Sequence, residues 1–150
     1  MFATFDFNDY PIVNVIFSEN INNSDDFDSF LNDWMHMYLM NQDFMFIFDT
    51  RRIKYIPIEY TFKMSIFIRL LREKNYSYLK KSLILVNNNF IKYLLNITFS
   101  IQSPVAPVFI WSTEENNYEI IKKKLIDSNN ENLDQDLIYI KPNNSLIPFL

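Results

Sequence analysis

The sequence predicts an α/β fold: an N-terminal β-hairpin followed by α-β-α-β-α-β-α, with a mostly parallel central sheet flanked by helices. Three observations carry this. Short apolar runs rich in Val, Ile and Phe alternate with longer segments of helical period. Clusters of Asn, Asp and Pro punctuate the junctions between them. Residues 44–48 are continuously apolar between turn signals, as a strand covered on both faces is. Strands alternating with helices imply right-handed crossovers and parallel neighbours.

Residues 2–8 alternate apolar and polar and put Phe5 and Phe7 on one face of a strand. Asn8, Asp9 and Pro11 supply turn chemistry, and residues 12–18 form the returning strand. A polar connection over 19–26 leads to Ser24 or Asp25 as the cap of a helix, its early acids suited to the positive end of the helix dipole. The helical stripe is Phe27, Phe30, Leu31, Trp34, Tyr38 and Leu39, opposite Asp28, Asn32, Asp33 and His36. Residues 41–43 end it before the strand over 44–48.

Residues 49–56 form a loop, and Pro57 is preset for a first helical position. The helix it opens runs to Lys74 and buries Ile58, Phe62, Ile66, Phe67, Leu70 and Leu71, with Arg69 and Arg72 complementing its C-terminal end. Residues 79–86 form a core strand, and 87–89 a turn and cap for a helix over 90–98 that buries Phe90, Ile91, Leu94 and Leu95. After a strand over 108–111, a capping box of Ser112 against Glu115 opens the last helix, to about Ile126. Tyr118, Ile121 and Leu125 are its inward stripe, and Lys122, Lys123 and Lys124 suit its C-terminal end. Residues 1–126 form one α/β domain. Residues 127–150 are a linker and an apolar tail, with an edge strand or a surface-packed segment at 137–141 and Leu146 to Leu150 at the end.

Composition removes several classes of chemistry. A net charge of −4 argues against general nucleic-acid binding, which needs a basic face able to displace counterions. Without Cys there is no thiolate nucleophile or thiolate metal site. Without Gly there is no phosphate loop or dinucleotide fingerprint, since both need backbone that approaches phosphate without a Cβ. No cofactor is expected. The N-terminus is acidic and no run of eighteen apolar residues occurs, so the expectation is a cytoplasmic protein with no signal peptide and no transmembrane segment. Abundant Asn, Ile, Lys and Phe have the look of a translated AT-rich genome.

The candidate site is the loop Asp49, Thr50, Arg51, Arg52 and Lys54 together with Glu59. Its three cations stand beyond a strand's carboxyl end, where open α/β sheets gather their sites, and there they can receive an acidic protein partner, a phosphate or an anionic head group. The plainer account is a solvated loop that balances Asp49. Met35, His36 and Met37 have the donor types for a soft metal, but consecutive helical residues diverge, so His36 is expected at the surface and no metal site is assigned. Asp25, Asp26 and Asp28 are explained by a helix start, and Glu114 and Glu115 by a cap, which leaves no catalytic carboxylate pair. The aromatics fill a core or, alternatively, line a pocket for an apolar ligand.

The order of elements, with Phe48-Asp49 as a strand end, Ile53 and Tyr55-Ile56 as an anchor and Pro57-Ile58-Glu59-Tyr60 at a helix start, resembles the STAS family. These are the small α/β domains of anti-sigma-factor antagonists and sulfate-transporter tails. Trp111 to Glu115, followed by Tyr118 and Ile121, is similar to the ending of its SpoIIAA-like branch. The resemblance covers roughly residues 2–126 and implies a non-enzymatic regulatory domain that docks a protein partner through the 49–60 loop and the following helix. Signalling members switch by phosphorylation of a serine near this helix start. Here Pro57, Ile58 and Glu59 carry no hydroxyl, and the nearby Thr50 and Thr61 fall off the family position. Two other expectations stand beside this one: a carrier of a lipid or other apolar ligand in a CRAL-TRIO-like pocket, and a homo-oligomeric structural component that associates through its C-terminal tail.

Overall fold

A computed structural model describes residues 1–142. Its strands are β1 (Ala3–Asp9), β2 (Ile12–Phe17), β3 (Phe44–Asp49), β4 (Leu79–Val86), β5 (Val108–Ser112) and β6 (Leu137–Ile140). Helices α1 (Ser24–Met37), α2 (Glu59–Glu73), α3 (Asn89–Ile101) and α4 (Tyr118–Asp127) alternate with them from β2 onward. The sheet order is β1-β2-β3-β4-β5-β6. Strands β2 to β5 are parallel neighbours, and β1 and β6 close the two edges antiparallel, the β1–β2 register slipping between Asp6 and Asp9.

A sheet whose spatial order follows the sequence, joined by crossovers of one hand, carries those crossovers on one face. Accordingly α1, α2 and α3 share a single core with the same side of the sheet. Val13, Val15, Phe46, Phe48, Ile84, Val86 and Ile110 meet Phe30, Trp34, Phe67, Leu71 and Ile91 there. Each of these large side chains contributes roughly 1.5–3 kcal/mol by leaving water. The other face has a smaller core, where Ile47, Leu83, Leu85 and Phe109 meet Ile121 and Leu125 of α4. Strands β3 and β4 are therefore apolar on both sides, which is why they read as continuous runs.

Several local expectations change. Asn23, rather than Ser24 or Asp25, caps α1, its side chain accepting from the Asp26 amide at 3.0 Å. The chain tightens into a 3₁₀ turn over Tyr38–Met40, which moves Leu39 out to solvent and leaves Met37 buried. Asn41 then takes a left-handed φ of 53°, a conformation Asn tolerates better than most residues. Pro57 precedes α2 rather than starting it, its carbonyl accepting from the Tyr60 amide at 3.1 Å. Ser112 stays in β5 against Val86, so no capping box forms. Glu115 instead accepts the amides of Asn116 and Asn117, and Asn117 caps α4 by accepting from the Glu119 amide.

The largest correction concerns α2. Only Phe67 and Leu71 of its expected stripe are buried, while Ile58, Phe62, Ile66 and Leu70 are between 47% and 62% exposed. Tyr60, Thr61, Ser65 and Ile68 face inward in their place. The reason lies in the contact with α3. Ser65 donates to the Thr98 carbonyl across the two helices at 3.2 Å, and such close approach needs small residues on the contact side. Phe90 of α3 is likewise partly exposed, and Thr98 is buried with Ile91 and Leu94.

Candidate functional site

At the carboxyl end of β3 the expected docking loop is tied inward. Asp49 accepts Nε and Nη2 of Arg51 at 2.9 and 3.0 Å, a two-point carboxylate–guanidinium pair. The remaining Arg51 nitrogen, Nη1, donates to the Glu115 carbonyl at 2.6 Å and lies 3.4 Å from that of Thr113. With its side chain 12% exposed, Arg51 joins the loop after β3 to the loop after β5. The hydrogen bonds to Asp49 outweigh desolvation and raise the guanidinium's pKa above its ordinary value. Arg51 is a clasp.

The neighbours divide between clasp and surface. Thr50 is buried, its hydroxyl donating to the Leu85 carbonyl at 2.7 Å. Lys54 gives its amide to the Glu19 carbonyl at 2.9 Å and its ammonium to the Glu19 carboxylate at 3.5 Å, the latter in full view of solvent. Asn20 and Tyr55 form a further bridge beside it. Arg52 is exposed and has no ion pair among the described residues, and Glu59 is exposed in the first turn of α2. Thr61 is buried and donates to the Ile58 carbonyl at 2.6 Å, so the hydroxyls of Thr50 and Thr61 are both engaged inside the fold.

What the loop leads into is an apolar surface. Ile58, Phe62, Ile66 and Leu70 recur every four residues, which aligns them along one side of a helix. At its N-terminal end the exposed ring of Tyr55 stacks on Phe90, centroids 6.0 Å apart, and Tyr93 lies one turn further along α3 and is exposed. The setting is basic. Residues 50–101 hold ten of the chain's 14 Lys and Arg and only two of its 18 Asp and Glu. Of these cations Arg51 and Arg72 are spent on carbonyls or Asp49, and Arg69 pairs with Glu73. Arg52, Lys63 and Lys92 form no ion pair among the described residues. Lys63 instead lies 5.4 Å above the Tyr60 ring.

Beneath α2, between the three helices and the sheet, is a cavity of about 150 Å³. Trp34 of α1, Tyr60 and Met64 of α2, Leu94 of α3, Ile84 of β4 and Ala106 of the loop before β5 are among its walls. Arg72 closes the far end of α2 by donating to the carbonyls of Ser103 and Pro104 at 3.1 and 2.7 Å, and desolvation lowers its pKa.

Set against protein families, curated proteins and solved structures, the chain has no significant match. Among the described residues no helix is long and apolar enough to cross a membrane.

The sequence marked residues 49–60 as the candidate site, and the structure turns part of that segment inward. Of the six expected residues, Asp49, Thr50 and Arg51 are internal ties, Lys54 is half of an exposed pair, and Arg52 and Glu59 stand on the surface. The exposed row on α2 was written in the spacing 58, 62, 66, 70, but residues 60, 64, 67, 68 and 71 form a second apolar row, and periodicity cannot choose between two. The concentration of cations in 50–101 was visible in the sequence and marks the same region.

Proposed function

We propose that this chain is a non-enzymatic, cytoplasmic regulatory domain of STAS-like type that docks a protein partner on the outer face of α2. The observation that carries this is the exposed row Ile58, Phe62, Ile66 and Leu70. Four large apolar side chains in line on a helix whose other side faces the core are a surface left for contact. The charge around it sets the partner's chemistry. Arg52, Lys63 and Lys92 against Glu59 favour a partner that presents an apolar ridge flanked by carboxylates, with the charges steering encounter and the apolar row supplying most of the affinity. The STAS resemblance supports the same segment, without the phosphorylation switch.

Ile66→Asp separates docking from folding. Its side chain is already in water, so stability should move by no more than about 0.5 kcal/mol while recovery of the partner in a pull-down is lost. Arg52→Glu should slow association and weaken its salt dependence, and Ile120→Asp on the exposed side of α4 should leave recovery intact. A partner retained by Ile66→Asp would refute the docking face. Flotation of the wild-type chain, but not Ile66→Asp, with anionic vesicles would instead assign the face to a lipid surface. The self-association expectation attached to Leu146 to Leu150 lies outside the described residues.

A further inference from the structure

We propose that the cavity beneath α2 is a binding site for a small apolar molecule carrying one hydrogen-bonding group, and that the Ser82 hydroxyl is the group that holds it. Ser82 lies in the middle of β4, a central strand, between Phe46 and Val108. It is 3% exposed and lines the cavity, sharing the helix-covered side of the strand with Ile84 and Val86. Among the described residues no donor or acceptor reaches its side-chain oxygen, although its amide is bonded to the Pro107 carbonyl at 3.0 Å. A hydroxyl without a protein partner is free to hydrogen-bond a molecule in the cavity, which alanine in the same place could not do.

The threonine hydroxyls around the cavity are occupied. Thr50, Thr61 and Thr98 give their protons to the carbonyls of Leu85, Ile58 and Leu94. The walls are otherwise mostly aromatic and aliphatic, which suits an apolar body better than water. A volume of about 150 Å³ is the size of an apolar cavity that admits benzene, so the fitting ligand is one ring or a short chain rather than a whole lipid. Its polar group bonds Ser82 and its body lies against Leu94 and Ile84. This site is on the inner side of α2 and is independent of the docking face on the outer side.

The test uses the full chain with two probes of nearly equal shape, benzyl alcohol and toluene, titrated calorimetrically against wild type, Ser82→Ala and Ala106→Leu. Wild type should bind both saturably. Ser82→Ala should weaken benzyl alcohol about three- to tenfold, the range for one neutral hydrogen bond, and change toluene by less than about twofold. Ala106→Leu places extra methyl groups in the cavity and should abolish both, with circular dichroism confirming the fold. If that variant does not fold, Leu94→Phe serves the same purpose. No saturable binding by wild type, or binding undiminished in the filled variant, overturns the site. An unchanged benzyl alcohol to toluene ratio in Ser82→Ala overturns the role of the hydroxyl. Ile66→Asp should bind both probes as wild type does, which separates this site from the docking face.

Discussion

Helices α1 and α2 lie on the same face of the same sheet and use their apolar residues in opposite ways. α1 turns its aromatics inward. Trp34 packs against Phe46, Phe48 and Phe67 at 5.2–5.4 Å between ring centroids, and its Nε1–H donates to the Tyr38 hydroxyl at 3.1 Å. Burial there pushes the Tyr38 pKa up to about 12. α2 presents Thr61 and Ser65 to its neighbour α3 and turns Ile58, Phe62, Ile66 and Leu70 to water. The outer sides differ as well, with Asp28, Asn32, Asp33 and His36 on α1 where α2 has its apolar row. A polar outer side is what folding alone selects for a helix on a sheet. The departure on α2 is the observation on which the proposed docking face rests.

Three substitutions test that contrast. The largest effect belongs to α1: Trp34→Ala removes a ring held on several sides and should cost about 3–5 kcal/mol in urea unfolding, against the near-zero change expected for Ile66→Asp. A loss comparable to that of Ile66→Asp would mean that the two helices are not used differently. An intermediate effect is expected on the inner side of α2. Ser65→Leu forces bulk into the α2–α3 contact, where the hydroxyl meets the carbonyls of Thr61 and Thr98 at 2.8 and 3.2 Å, and should cost roughly 1–3 kcal/mol. A neutral result would show that small residues are not what sets this helix's rotation.

The smallest effect concerns α4, which is fastened to the hairpin by polar ties. Tyr118 donates to Asp9 at 2.8 Å and Lys122 approaches the same carboxylate at 3.0 Å, and these bonds hold the Asp9 carboxyl below its usual value of 3.8. A carboxyl depressed in the folded state adds stability that is fully present above its unfolded pKa and is lost as pH falls through the lower folded value. Asp9→Asn should therefore flatten the acid limb of the stability profile below about pH 4 and leave its shape near neutrality unchanged. An acid limb as steep as wild type would place the responsible carboxylates elsewhere.

Much of this architecture is legible in the sequence. β4 begins and ends at the expected residues, β3 extends one residue further to Asp49, and Asn88 caps α3 within the expected turn by accepting from the Ile91 amide at 2.9 Å. Such features depend on neighbours in the chain. The candidate site was legible only as a segment. That Arg51 is spent on Asp49 and Glu115 depends on a loop 64 residues away, and no local pattern contains that distance. Nothing local singles out Ser82, whose place beside the cavity depends on which side of β4 the helices cover.

By itself, then, the sequence determined the class and order of elements, because apolar period, caps and turn residues act over a few residues. It also determined the chemistry excluded by lacking Gly and Cys. Tertiary structure decided the rotation of α2, the inward capture of Arg51 and the placing of Ser82 over a void. Each of these is a competition between surfaces distant in the chain, and packing, not periodicity, chooses the winner.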